Sequence, residues 1–473
     1  MSESKNGSEL VVIGAGPGGY PAAFLAADLG MDVTLIDPEI NPGGVCLHRG
    51  CIPTKTLLHV AKVIREAEEA KNFGVTFNTP EFDLDQIRAF KDRVVEKLTS
   101  GTGQLAKQRK INYIKGIANF KDSKTLLIKQ AHGEEQTLSF EKAIIATGTI
   151  PMTLPGMTIE SDHVMNSAEA MELESIPETL LVIGGGYIGL ELGTVYATLG
   201  SRVSIVEMLP NIVPGGDDDL VRILTMKTRQ LFESIITKTK VVDMKEIDGK
   251  IKVTFEKAEK KEEKTFDKVL VTIGRKPNTS NLILKNTKVE IDERGFIKIN
   301  QERQTAEPHI YAIGDVVGGA LLAHKATYEG KMAVQAIVRK DKLSEPKSIP
   351  AVLYTDPEVS WTGLTEKEAK EKGIDISIAK FPWAANGRCL SLGRNDGVTK
   401  IISDPTTDQI LGVGIVGPGA GDLISEAALA ISLDAKVSDL AHTIHPHPTT
   451  SETVMEAAEV HLGLCTHIYR PKR

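Results

Sequence analysis

Short unbroken apolar runs, each ending in glycine, punctuate the first two thirds of the chain. Leu10-Val11-Val12-Ile13 leads into Gly14-Ala15-Gly16-Pro17-Gly18-Gly19, and Leu180-Leu181-Val182-Ile183 leads into Gly184-Gly185-Gly186-Tyr187-Ile188-Gly189. Apolar runs without alternation predict strands buried on both faces of a parallel sheet, here turning into helices. A second apolar run follows each. Asp32-Val33-Thr34-Leu35-Ile36 closes on Asp37, and Arg202-Val203-Ser204-Ile205-Val206 closes on Glu207, so each acid lies 23 positions after its first glycine. The two copies echo each other again further on. Ala143 to Pro151, with Gly148, resembles Val269 to Pro277, with Gly274, and His309 to Asp315 is a third such run, through Gly314.

Elsewhere the pattern changes. Pro53 to about Leu105 reads as helices with charged faces, and the mixed-charge run Glu256 to Lys264 as a solvated hairpin tip. From about Ile349, strand-like runs (351–354, 398–402, 410–416) alternate with helix-like ones (426–431). That predicts a separate α+β domain with no glycine fingerprint. The expected fold class is therefore α/β, with two Rossmann-like dinucleotide-binding domains and a C-terminal α+β domain. The expected divisions are 1–150, 151–280, 281–348 completing the first domain, and 349–473.

The glycines carry the nucleotide reading. Gly14 and Gly184 permit the tight turn, Gly16 and Gly186 let a pyrophosphate approach the backbone, and Gly19 and Gly189 allow helix to pack on strand. The free N–H groups of the following helix then face the phosphates. One such motif is weak, but two copies with strand, helix and acid at equal spacing are strong. Asp37 and Glu207 are placed to hold ribose hydroxyls. No arginine follows Glu207 in Met208-Leu209-Pro210 to receive a 2′-phosphate, which favours NAD over NADP.

Composition narrows the class. A chain of 473 residues is too long for one core. A net charge of -7 argues against a nucleic-acid partner. No run of 18 apolar residues predicts a membrane span. The polar segment Met1 to Glu9 lacks the apolar core of a signal peptide, so a cytoplasmic location is expected. Four cysteines cannot form a stabilising framework at this length, which points to a reducing compartment and to catalytic or metal-binding thiols.

Two of those cysteines sit in Gly43-Gly44-Val45-Cys46-Leu47-His48-Arg49-Gly50-Cys51-Ile52-Pro53-Thr54-Lys55. A zinc site would need a second pair of ligands nearby, and none is present. Two merely buried cysteines would not explain the glycines. A redox disulfide remains. Positions five apart on an ideal helix point about 140° away from each other, whereas a disulfide needs Cα atoms within about 7 Å. The first turn is therefore expected to be distorted, with Gly50 permitting it. A helix N-terminus would stabilise a thiolate. His48 and Arg49 either lower a thiol pKa or form an exposed loop face. Near the C-terminus, His445 and His447 lie between prolines, with Glu452 five residues after His447. An imidazole oriented by a carboxylate can take a proton from a thiol. Asp315 reads either as a turn residue or as a carboxylate on cofactor hydroxyls.

The segment Gly43 to Lys55, the two fingerprints and Gly314-Asp315 together resemble the pyridine nucleotide-disulfide oxidoreductases of the glutathione reductase class, over nearly the whole chain. The resemblance implies FAD on the first fingerprint, NAD on the second, and a homodimer formed by the C-terminal domain. Leu322-Ala323-His324-Lys325, Tyr354-Thr355-x-Pro357-Glu358-Val359 and His445-Pro446-His447-Pro448-Thr449 are most similar to the branch that oxidises dihydrolipoyl groups. It implies that Cys46 exchanges with substrate and Cys51 faces the flavin. It also implies that Lys55 pairs with Glu191 near flavin N5, and that His447, oriented by Glu452, is the base supplied by the partner subunit. Gly148, Tyr187, Gly274, Gly314, Asp315 and Ala323 complete the expected cofactor contacts, and no metal is expected. Implied partners are lipoyl domains and the acyltransferase core of 2-oxo acid dehydrogenase complexes, or a lipoylated glycine-cleavage carrier. Tyr187 either covers the flavin until NAD arrives or packs a helix. The rival readings are a reductase of another disulfide, such as glutathione, and a mainly structural docking subunit.

Overall fold

Strand β1 (Gly7–Ile13) runs between β2 (Val33–Asp37) and the strand Glu135–Ile145, parallel to both. The computed structural model describes residues 7–130, 133–154, 156–157, 159–338 and 344–469, so residues 1–6 of the polar N-terminal run lie outside it. Ile310–Ala312 adds to the far side of Glu135–Ile145, and Asn112–Asp122 adds to β2, both in parallel. The strand Thr125–Gln130 then joins Asn112–Asp122 to Glu135–Ile145 as an antiparallel meander. Leu10, Val11 and Val12 are completely buried, because the sheet is covered on both faces. Helix α1 (Gly19–Asp28) packs on it beside the helix Ala323–Val338.

The second fingerprint repeats this plan. Ser234–Ile236, Arg202–Val206, Thr179–Ile183, Lys268–Val271 and Val164–Met165 form a five-stranded parallel sheet in that order. A three-stranded antiparallel sheet lies on it, and its charged run turns at Ala258-Glu259 between Lys250–Lys257 and Lys260–Phe266. Both turn residues have positive φ, as a two-residue hairpin requires. A short antiparallel pair, Thr149–Pro151 with Arg275–Pro277, links the two nucleotide units.

Residues 351–417 build a five-stranded antiparallel sheet, which the helices Ala420–Ser432 and Glu452–Leu462 cover. Its contact with the second unit joins apolar packing, Leu353, Val359 and Val416 with Leu220 and Leu224, to a buried ionic bridge. Lys400 is fully buried, and its Nζ donates to Asp217 at 2.5 Å, Asp219 at 2.8 Å and Glu366 at 2.8 Å. Isoleucines and threonine surround it along the strand Val398–Ser403, so hydropathy alone gives no sign of this bridge.

Candidate active site

The cysteine segment folds as two helices, α2 (Gly44–Arg49) and α3 (Cys51–Glu69), broken at Gly50. The break lies between the cysteines, where ψ at Gly50 is −109°. A Cβ at position 50 would meet the Val45 carbonyl oxygen at 2.8 Å, so glycine is needed there for space. The break turns the two thiols toward each other, within hydrogen-bonding contact. Gly44 has φ +55°, and a Cβ there would lie 2.4 Å from Gly16 Cα, so α2 rests directly on the first glycine turn.

The pair is electrically unequal. Cys51 is lowered to about 7 because Cys46 donates a hydrogen bond to it and the Lys55 ammonium lies nearby, against the cost of burial. Cys46 is raised, first by that same hydrogen bond and then by burial. Cys51 also begins α3, where the helix N-terminus favours a thiolate. Lys55 Nζ donates to Glu191 Oε2 at 2.8 Å, and the Glu191 carboxylate is buried. Burial works against the charge on Lys55, but Glu191 outweighs it and the pKa is raised. Tyr354 completes this group. Its N–H donates to Glu191 Oε1 at 3.0 Å, and its ring lies 4.7 Å from the Lys55 ammonium. Tyr354 lies inside a motif quoted above, but nothing in the sequence assigned it this place.

His48 and Arg49 turn away from the thiols. His48 Nε2 meets the Asn41 carbonyl at 3.0 Å and Arg49 pairs with Glu39; burial raises the Asp37 pKa, and the Ala15 N–H, His48 and Arg49 only partly offset it.

Both glycine turns are closed by their acids in the same way. Asp37 Oδ2 accepts the Ala15 N–H at 2.6 Å and Oδ1 the Glu39 N–H at 3.0 Å. Glu207 Oε2 accepts the Gly185 N–H at 2.8 Å and Oε1 the Leu209 N–H at 2.8 Å. The equal spacing therefore has a structural cause, since each acid closes its own glycine turn. A carboxylate has about four acceptor positions, so capacity for hydroxyls remains. Gly14 and Gly184 have φ of +98° and +109°. A Cβ on Gly16 would have only Gly44 Cα within 4 Å, at 3.9 Å, and one on Gly186 nothing. Space of that kind at the first helical turn suits a pyrophosphate.

A cavity of about 530 Å³ gathers most of the expected residues. Gly14, Gly16, Asp37, Cys46, Cys51, Lys55, Gly148, Tyr187, Glu191, Gly314, Asp315 and Ala323 line it. Gly19 lies beneath it, packed against Gly14. Gly184, Gly186, Gly189, Glu207 and Gly274 do not line it; the helix Tyr187–Thr198 joins the second turn to it through Tyr187 and Glu191. The cavity runs from the acid at the end of β2, past the first glycine turn, to the thiols.

His447 and Glu452 are also outside that cavity. His447 Nδ1 meets Glu452 Oε1 at 2.8 Å, and Glu452 Oε2 accepts the Thr449 N–H at 2.8 Å. Burial opposes the Glu452 charge, but the Thr449 N–H and His447 hold its pKa down. His445 pairs with Glu426 at 2.8 Å and is buried, whereas the His447 ring is 73% exposed. Exposure thus separates two histidines that only the resemblance told apart.

Residues 8–330 match the pyridine nucleotide-disulphide oxidoreductase family, and residues 349–458 match its dimerisation domain. The chain belongs to this family. It is similar to the dihydrolipoyl dehydrogenase of Haemophilus influenzae, with 44% identity over 98% of this chain and 97% of that protein. It is similar also to that of Thermus scotoductus, with 44% identity over 97% and 98%. Among solved structures, the HOCl-induced flavoprotein disulfide reductase RclA from Escherichia coli aligns with a TM-score of 0.85 and 27% identity, over 96% of this chain and 99% of that one. In this oxidoreductase family member the dithiol and the first nucleotide turn share one cavity, and the dimerisation domain carries His447. No helix among the described residues is long and apolar enough to cross a membrane.

Proposed function

We propose that this protein oxidises protein-bound dihydrolipoyl groups to the lipoyl disulfide with NAD⁺, acting as a homodimer. The observation that carries the reading is the Cys46–Cys51 pair, lining one cavity with the first glycine turn and with Lys55. Gly14, Gly16, Asp37, Lys55, Gly148, Gly314, Asp315 and Ala323 would hold FAD. Gly184, Gly186, Tyr187, Gly189, Glu207 and Gly274 would hold NAD. Bound together, these cofactors supply two-electron transfer from the dithiol to the nicotinamide.

The residues then do the sulfur and proton chemistry. With the pair oxidised, a substrate thiolate attacks Sγ of Cys46, and the Cys46–Cys51 bond breaks to release Cys51 as a thiolate. The second substrate sulfur attacks the first, now joined to Cys46, closing the lipoyl disulfide and releasing Cys46. The substrate loses two protons and two electrons. The pair gains the electrons; one proton ends on Cys46 and one on the imidazole of His447 of the partner subunit. The raised pKa of Cys46 and the lowered pKa of Cys51 match those end states. Lys55 stabilises the thiolate, and Glu452 keeps the imidazole oriented and its charge compensated. Lipoyl domains of 2-oxo acid dehydrogenase complexes, or a lipoylated glycine-cleavage carrier, would present the substrate.

Cys46→Ser tests the scheme. It is expected to retain FAD and to lose dihydrolipoamide turnover; normal turnover in that variant would contradict the reading.

A further inference from the structure

The Gly314–Val317 turn brings Asp315 to the cavity, and the Gly318 N–H closes it on the Asp315 carbonyl at 3.1 Å. Gly314 and Gly318 both have positive φ, +75° and +79°, so the chain reverses twice within five residues. Directly beneath lies the helix Ala323–Val338, from which Lys325 and Glu329 point upward, 9% and 4% exposed. Lys325 Nζ donates to the Gly318 carbonyl at 2.8 Å, the Gly314 carbonyl at 3.3 Å and Glu329 Oε2 at 3.2 Å. Glu329 Oε2 accepts the Gly314 N–H at 2.7 Å. Both polar groups of Gly314 are thus held by one buried ion pair. Arg303 backs the pair, with Nε 3.4 Å from Glu329 Oε1, and is itself held by Glu345 at 2.6 and 2.7 Å.

A buried ion pair is a poor device for stability, since apolar side chains of the same volume often serve as well. Here three of the four hydrogen bonds named for Lys325 and Glu329 go to one turn, and the fourth joins the two side chains. We infer that Lys325 and Glu329 are positioning residues for bound FAD, fixing the Gly314–Gly318 turn that presents the Asp315 carboxylate. The inference rests on the FAD reading above.

The charged surroundings of Asp315 agree. Thr149 Oγ1 donates to Asp315 Oδ2 at 3.0 Å and accepts from Arg275 Nε at 2.7 Å. Arg275 stands on the linking strand, Tyr187 faces the carboxylate from the helix of the second unit, and Lys325 faces it from below. Burial raises the Asp315 pKa, while Thr149, Arg275 and Lys325 lower it. Removing Lys325 therefore lets Asp315 take up a proton at a higher pH.

The test measures FAD release from the holoenzyme by flavin fluorescence as a function of pH, in wild type, Lys325→Met, Lys325→Arg and Asp315→Asn. Lys325→Met is expected to raise the FAD dissociation constant on the order of tenfold at neutral pH. The acidic limb of FAD release should also move to higher pH. Lys325→Arg should restore most of both, and Asp315→Asn should flatten the limb. If Lys325→Met does not fold, Lys325→Gln carries the same expectation for the limb. Wild-type affinity with an unmoved limb in the uncharged variants would overturn the inference. Wild type that takes up no FAD would instead overturn the cofactor reading itself.

Discussion

The imidazole of His447 stands on the carboxylate of Glu452 at 2.8 Å, with the ring in solvent and the acid buried. Glu452 begins its helix and accepts the Thr449 N–H, so the acid is fixed before the ring is. A fixed acid under a mobile-facing base is the arrangement for proton transfer to an incoming group. His447→Gln should lower kcat roughly 10²- to 10⁴-fold with little change in KM for NAD⁺. Glu452→Gln should cost less, because the ring remains. His445→Gln should lower the melting temperature and leave kcat nearly unchanged, since His445 is buried on Glu426. Steady-state kinetics with each variant checks all three.

In the reduced protein Cys51 is the more acidic of the two thiols. Its alkylation by iodoacetamide, followed on the Cys51 peptide by mass spectrometry, should rise with pH through a midpoint near 7. Cys46→Ala removes the donor that favours the charged form, so the midpoint should move up. Lys55→Met should move it up as well, and should also leave the buried Glu191 without its cation, at roughly 1–3 kcal/mol. An unchanged midpoint in both variants would contradict the inequality of the two thiols.

Glu207 closes the second glycine turn, and the proposed function gives it a ribose to meet as well. Wild type should prefer NAD⁺ to NADP⁺ by kcat/KM, because a 2′-phosphate would face the carboxylate. Glu207→Gln keeps an acceptor for one turn N–H and removes the charge, so the preference should shrink while the fold holds. Equal use of both nucleotides by wild type would refute this assignment.

The Lys400 bridge makes a stability prediction. Lys400→Met leaves Asp217, Asp219 and Glu366 together without their buried cation, and loss of one partner of a buried pair costs about 3–5 kcal/mol. Burial raises the Asp219 pKa, but Lys380 and Lys400 hold it below its ordinary value. Its stabilising contribution is therefore present at neutral pH and lost as pH falls through the lowered pKa. In Lys400→Met, protonation relieves the repulsion instead. The gap in melting temperature between variant and wild type should narrow from pH 7 toward pH 4, as calorimetry would show.

The elements carrying the chemistry were legible where a local rule sets them. The apolar run before Gly14, its twin before Gly184 and the two acids follow from strand burial and turn geometry, which are properties of short segments. The need for a break between Cys46 and Cys51 followed from helix geometry; its cause did not, because the Val45 carbonyl that crowds position 50 is a matter of packing. The same limit hid the rest. Nothing local distinguishes Lys400 from other strand lysines or sends His48 and Arg49 toward Asn41 and Glu39, and apart from the resemblance nothing in the residues chooses His447 over His445. Those outcomes depend on what the remainder of the chain brings alongside.

The central claim is that dihydrolipoyl dithiols reduce the Cys46–Cys51 pair, leaving Cys51 as a thiolate against a flavin. An anaerobic titration of the flavin-loaded protein with dihydrolipoamide, followed by addition of NAD⁺, tests it most directly. The account expects a long-wavelength thiolate-to-flavin absorption band to appear, then to decay as NADH forms in equal amount. No band and no NADH, from protein with its flavin bound, would contradict it.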